Sequence, residues 1–141
     1  YTVGNEIGTT TKRARRCGWL DGVLAKYACR INGCDEIILM KIDVLRGLKT
    51  IKFCTSYLQD GKEITHIPHN LDDVTPVYKE FDGWDEDISS VSSYEDLPLN
   101  ARIYIEFIEE YLETKLYYIS TSPERDDIIT KEICEIDLAT L

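Results

Sequence analysis

Apolar residues recur at steps of three and four in two stretches of the chain. The first, over about 18–31, places Leu20, Val23, Leu24, Tyr27, Ala28 and Ile31 on one stripe, the spacing of an amphipathic helix. Asn32-Gly33 closes it, because both residues tolerate the left-handed backbone that ends helices. The second begins at Pro98, a residue suited to a first helical turn, and its stripe is Ala101, Tyr104, Ile105, Ile108, Tyr111 and Leu112.

Elsewhere the pattern is that of strands. Glu36 to Met40 is too short and too apolar for a surface helix and reads as a buried strand covered on both faces. Over 50–58, Ile51, Phe53, Thr55 and Tyr57 alternate with Lys52, Cys54 and Ser56, the period of a strand. Gln59-Asp60-Gly61-Lys62 reads as a turn, and a return strand through Ile64 and Ile67 completes a hairpin. Residues 68–96 are rich in loops, punctuated by Pro68, Pro76 and Gly83, with a short strand at Val77–Phe81. A strand at Leu116–Ser120 follows the second helix, then a polar loop Ser120–Arg125 and a short ending around Ile128–Ile133. This order predicts an α/β fold: a mixed sheet with flanking helices and a β-hairpin.

The length of 141 residues suits one modest domain, and no internal repeat or low-complexity tract breaks it. No apolar run approaches a membrane span, and the first residues carry no signal-peptide pattern, so the expected location is the cytoplasm, with no membrane partner. The chain opens on Tyr1 rather than Met, which suits a fragment or a processed piece. Five cysteines at irregular spacing, Cys17, Cys29, Cys34, Cys54 and Cys134, include no C-x-x-C pair and have no nearby histidine. They read as reduced thiols rather than as a zinc site or a disulfide framework.

The net charge is −10, yet residues 1–30 hold six Lys/Arg against two Asp/Glu. So acidic a surface repels phosphate polymers and argues against a nucleic-acid partner, while the local basic segment suits a small anion. That segment is Thr9-Thr10-Thr11-Lys12-Arg13-Ala14-Arg15-Arg16. Hydroxyls and backbone N–H groups of a loop can cradle a carboxylate or phosphate, and the guanidinium forks of Arg13 and Arg15 grip such groups bidentately. The segment also leads into a helix N-terminus, which favours anions. The plainer alternative is a solvated basic loop or a localisation signal.

Two further segments follow strands, where open α/β sheets bind ligands. In Lys41-Ile42-Asp43, the carboxylate can accept from two adjacent N–H donors, such as guanine presents and adenine does not. The lysine stem can lie along a base. An ordinary ion pair at a strand end is the competing reading. Ser120-Thr121-Ser122-Pro123 could close over a ligand with backbone groups, or be a plain turn. His66 and His69 read as surface residues, and the acidic stretch Asp82–Asp87 as a solvated loop without the spacing of a calcium loop.

Taken in order, these residues resemble the adenylosuccinate synthetase family. Gly4-Asn5-Glu6-Ile7-Gly8 through Cys17-Gly18-Trp19-Leu20-Asp21 is similar to the family's aspartate-binding loop and the helix after it. Lys41-Ile42-Asp43-Val44-Leu45 with Gly47-Leu48 resembles its guanine site. Pro76-Val77-Tyr78, Gly83-Trp84, Leu97-Pro98 and the closing Ser-Thr-x-Pro-x-Arg fall in the family's order. The resemblance implies the carboxyl-terminal part of that family's P-loop-type fold, residues 1–141 forming a segment without the phosphate-loop region. It implies a purine-biosynthesis ligase that makes adenylosuccinate from IMP and L-aspartate, with GTP as co-substrate and Mg2+ as cofactor. GTP would phosphorylate the C6 oxygen of IMP, and the aspartate amine would then displace phosphate.

Carried over residue by residue, the resemblance gives Thr9, Thr10, Thr11, Lys12, Arg13, Ala14 and Arg15 to L-aspartate, and Arg13 also to IMP. It gives Arg15, Lys41, Ile42, Asp43, Ser120, Thr121 and Ser122 to GTP. Catalytic residues and metal ligands would lie upstream, the segment alone would be inactive, and the full-length enzyme would be a homodimer. Lys12 and Ser122 depart from the pattern, each standing where the family usually has glycine. These departures motivate the alternative of a catalytically silent homologue that binds purine nucleotides.

Overall fold

The computed structural model describes residues 3–131. Residues 132–133 of the expected ending, and Cys134, lie outside the described residues. Among the described residues, strands and α-helices follow in the order β1 (Leu20–Asp21), α1 (Gly22–Asn32), β2 (Glu36–Leu39), β3 (Thr50–Gln59), β4 (Lys62–Ile64), β5 (Thr75–Asp82), α2 (Leu99–Leu112), β6 (Lys115–Ser120) and β7 (Ile128–Thr130). The α/β class stands, with two mixed sheets rather than one. In the first, β5 runs antiparallel along one edge of β3, while β1 (parallel) and β4 (antiparallel) pair with it as well. In the second, β6 is central, parallel to β2 and antiparallel to β7.

The first helix is shorter than its stripe suggests. Leu20 and Asp21 are held as a strand against Phe53 and Cys54, so the helix starts at Gly22. Asp21 caps it, one carboxylate oxygen accepting from the Leu24 N–H at 3.1 Å. Gly33 ends it in the left-handed conformation, as Asn32-Gly33 implied. Of the stripe, only Val23 is fully buried; Leu24, Tyr27 and Ile31 remain exposed. In α2 the stripe is the packing face: Ala101, Tyr104, Ile105, Ile108 and Leu112 are buried. The two helices are tied where Glu113, at the end of α2, accepts from Lys26 Nζ at 2.6 Å and Arg30 Nη2 at 3.0 Å.

Four strand readings need correction. β2 is not covered on both faces: Ile38 is 55% exposed, and the adjacent Met40 57%; among the described residues only β6 pairs with this strand. The alternation in β3 is interrupted by a bulge between Cys54 and Ser56, so Cys54, Ser56 and Tyr57 are buried while Thr55 is not. The return strand stops at Ile64, leaving Ile67 in the loop, whereas the strand expected at Val77–Phe81 extends over Thr75–Asp82. The hairpin turn is as read: Asp60 and Gly61 both have positive φ, the tight two-residue geometry that matches strand twist.

One core joins both sheets to α2. It draws Ile51 and Phe53 from β3, Phe81 from β5, and Leu116 and Ile119 from β6. Phe53 meets Phe107 and Tyr111 edge-on at 5.2 and 5.0 Å, and Phe81 meets Tyr104 at 5.4 Å. Each fully buried side chain of this size contributes about 1.5–3 kcal/mol. The backbone from Gly47 to Lys49 docks against the end of β5 through Gly47 N–H to Trp84 C=O (2.8 Å) and Gly83 N–H to Lys49 C=O (3.0 Å). A Cβ on Gly83 would stand 1.6 Å from the Leu48 carbonyl oxygen, so only glycine permits that approach. This contact fixes the segment that follows Asp43.

Candidate functional site

The basic segment forms a small hairpin. Ile7 and Ala14 make an antiparallel bridge, Gly8 N–H donates to Arg13 C=O at 2.8 Å, and Arg15 N–H to Glu6 C=O at 2.9 Å. Thr9, Thr10, Thr11 and Lys12 form its exposed tip, closed by Lys12 N–H on Gly8 C=O at 2.9 Å. Lys12 takes φ 54°, the left-handed conformation that L side chains resist. Position 12 therefore takes a conformation that glycine would adopt without this cost. The side chains of Arg13, Arg15 and Arg16 are exposed.

Lys41 and Asp43 stand beyond the end of β2. Lys41 also has left-handed backbone (φ 62°) and precedes a single 3-10 turn, Ile42–Leu45. That turn sends Ile42 into the core, 1% exposed, and leaves Asp43 at the rim of a cavity of about 520 Å³. Lys41, Asp43, Ser120, Ser122, Pro123 and Arg125 are among its lining. Asp43 also lines an adjoining cavity of about 280 Å³ together with Arg46, Thr121 and Ser122. Asp43 Oδ1 is buried with no hydrogen-bond partner among the described residues. A buried acceptor left unpaired costs about 1–3 kcal/mol, more when charged, and a ligand N–H donor would satisfy it.

The loop after β6 closes on itself. Ser120 Oγ donates to the Ser122 carbonyl at 2.8 Å, Glu124 N–H donates to Ser122 Oγ at 3.0 Å, and Thr121 N–H donates to the Asp127 carbonyl at 3.0 Å. Ser122 is not among the positive-φ residues, so its backbone carries no such strain, and its hydroxyl is absorbed by the loop's own bonds.

These segments meet through a residue to which sequence reasoning gave no role. Glu6 accepts from Lys41 Nζ and lies 3.6 Å from Arg15 Nη1, joining the hairpin base to the strand end. The Lys41 hydrogen bond, with the nearby charges of Lys41 and Arg15, holds the Glu6 carboxyl below its ordinary value. The available signal was charge: Glu6 and Asp21 are the two acids within the first 30 residues, and Glu6 stands just before the basic run. Arg46, whose Nε donates to the Asp85 carbonyl at 2.9 Å and whose Nη1 pairs with Asp87, was missed because nothing in its spacing marks it. None of Thr9, Thr10, Thr11, Lys12, Arg13, Ala14 and Arg15 is among the residues lining the Asp43 cavities.

A family model described as adenylosuccinate synthetase matches residues 1–129. The adenylosuccinate synthetase of Flavobacterium johnsoniae is 48% identical over 131 residues, 92% of this chain and 31% of that protein. That of Helicobacter pylori strain J99 is 52% identical over 128 residues, 91% of this chain and 31% of its own length. Among solved structures, fully ligated adenylosuccinate synthetase from Plasmodium falciparum superposes with a TM-score of 0.88 at 41% identity, covering 93% of this chain and 32% of that one. The chain thus spans about a third of the length of these relatives.

Proposed function

The chain belongs to the adenylosuccinate synthetase family, and on that premise we propose that residues 1–141 are the carboxyl-terminal segment of a GTP-dependent ligase that joins IMP and L-aspartate into adenylosuccinate. The segment supplies binding elements. Asp43 accepts the paired N–H donors of guanine, the Lys41 stem lies along the base, and the loop of Ser120, Thr121 and Ser122 closes beside it. Ile42 contributes through backbone alone. Thr9 to Arg15 capture L-aspartate, with Arg13 reaching IMP and Arg15 the GTP phosphates, where fixed positive charge offsets charge on the transferred phosphoryl group.

Among the described residues no three His, Cys, Asp or Glu side chains gather to hold a metal ion. Magnesium, which would neutralise phosphate charge when bound, is assigned ligands in the part of the longer protein upstream of this segment. The remaining parts of the proposal are a cytoplasmic setting and a homodimer at full length. No helix among the described residues is long and apolar enough to cross a membrane.

The observation that carries this reading is the buried, unpaired Asp43 Oδ1 at the rim of the cavity shared with Lys41, Ser120 and Ser122. Calorimetric titration of the chain with GDP and with ADP tests it. GDP binds in preference, and Asp43→Asn, which turns one acceptor into a donor, weakens GDP binding by about 10–100-fold, the range for hydrogen bonds to a charged group. Equal affinity for the two nucleotides overturns the guanine assignment. Adenylosuccinate formation by the 141 residues alone overturns the segment assignment.

A further inference from the structure

Glu6 joins two segments that lie 35 residues apart. One carboxylate oxygen accepts from Lys41 Nζ, and that ammonium also donates to the Gly4 carbonyl at 3.0 Å. The other oxygen faces Arg15 Nη1 at 3.6 Å. The main chain reinforces the link, since the Glu6 carbonyl accepts the Arg15 N–H at 2.9 Å. The carboxylate is the most sheltered member of the trio, its side chain 21% exposed against 53% for Lys41 and 59% for Arg15. Two cations from different segments therefore share one anion, a small network rather than an isolated surface pair.

The geometry points to Glu6 as a positioning residue that couples occupancy of the Lys41–Asp43 cavity to the order of the 8–15 hairpin. The inference rests on the nucleotide reading given above and adds a residue and a direction of communication to it. A base laid along the Lys41 stem fixes the ammonium that Glu6 holds, and a phosphate that draws on Arg15 alters the other half of the same bridge. Whatever one site gains from the other's occupancy is returned equally in the opposite sense, as linkage requires.

Backbone amide exchange at Gly8 and Arg15, followed by NMR with GDP as the probe, tests the coupling. In the unliganded chain, Lys41→Met speeds exchange at the Arg15 amide by about two- to fivefold, the size of a modest ion-pair contribution. Adding Glu6→Gln to that variant accelerates exchange further, because it also removes the Arg15 contact that Lys41→Met leaves in place. Saturating GDP slows exchange at both amides in the wild-type chain. In Glu6→Gln, which keeps shape and removes charge, GDP still binds but the hairpin no longer responds, a difference that a purely structural role for Glu6 would not produce. An Arg15 amide indifferent to Lys41→Met overturns the inference, as does a Glu6→Gln hairpin that responds to GDP like wild type. If GDP binds the wild type without protecting the hairpin, the coupling alone falls; if GDP does not bind, the nucleotide reading falls and takes the coupling with it.

Discussion

The Tyr57 hydroxyl donates to Asp21 Oδ2 at 2.6 Å while the other Asp21 oxygen caps α1, so one carboxylate pins the start of a helix to the middle of a sheet. Burial and the Asp21 hydrogen bond raise the Tyr57 pKa well above the usual phenol value, which keeps the hydroxyl a donor. Tyr57→Phe is expected to cost about 1–2 kcal/mol and Asp21→Ala more, since the alanine loses both the cap and the phenol. Urea unfolding of the two single variants and the double variant measures the coupling, and simple additivity would show that the two residues do not act as a unit.

Lys12 holds left-handed backbone at the hairpin tip, and its N–H is engaged by Gly8. Lys12→Gly is expected to stabilise the closed hairpin by up to about 1 kcal/mol, the strain relieved outweighing the added freedom of the unfolded chain. Lys12→Pro, which forces negative φ and removes the donor, is expected to open it. Exchange at the Arg15 amide ranks the three forms, with glycine slowest and proline fastest.

Gly83→Ala is expected to destabilise by about 1–3 kcal/mol or more, because the new methyl meets main chain at Leu48 rather than a yielding side-chain tip. A thermal melt detects the loss. A melt unchanged from wild type would mean that the 47–49 segment docks less closely than described.

Acid should loosen the molecule at its ion pairs. Glu6, Asp87 and Glu113 all have carboxyl pKa values below their ordinary ones: Glu6 chiefly through the Lys41 hydrogen bond, Asp87 through Ser89 N–H, and Glu113 through Lys26 and Arg30. A depressed folded-state pKa stabilises above the unfolded value and loses that contribution as pH falls through the folded one. Protection of the hairpin amides is therefore expected to hold from neutral pH to about 5 and to decline below the ordinary Glu value of 4.5. Loss beginning near pH 6.5 would assign the transition to histidine instead.

What the sequence made legible follows from local physics. The stripe of α2, the Asp60-Gly61 turn and the Asn32-Gly33 helix stop depend on neighbours in the chain, and all three stand. The segments Lys41–Asp43 and Ser120–Ser122 were recognisable as loops after strands, and they do line shared cavities. The misreadings are tertiary in origin. Leu20 fits a helical stripe but pairs with β3, the bulge at Cys54–Ser56 flips a face that alternation assigns, and β2 is as apolar as a doubly covered strand while lacking the cover. Glu6 was invisible as a bridge because its two partners lie 9 and 35 residues away, and no periodicity relates them.

β2 has a second consequence. Among the described residues one of its edges is bare, with Ile38 and Met40 turned to water beside unpaired main-chain donors and acceptors. Such a rim is adhesive toward any extended peptide, because each new ladder bond satisfies a group that water otherwise must. Stored concentrated on its own, the polypeptide should creep into oligomers through this rim, and a lysine placed at Ile38 should keep the solution clear.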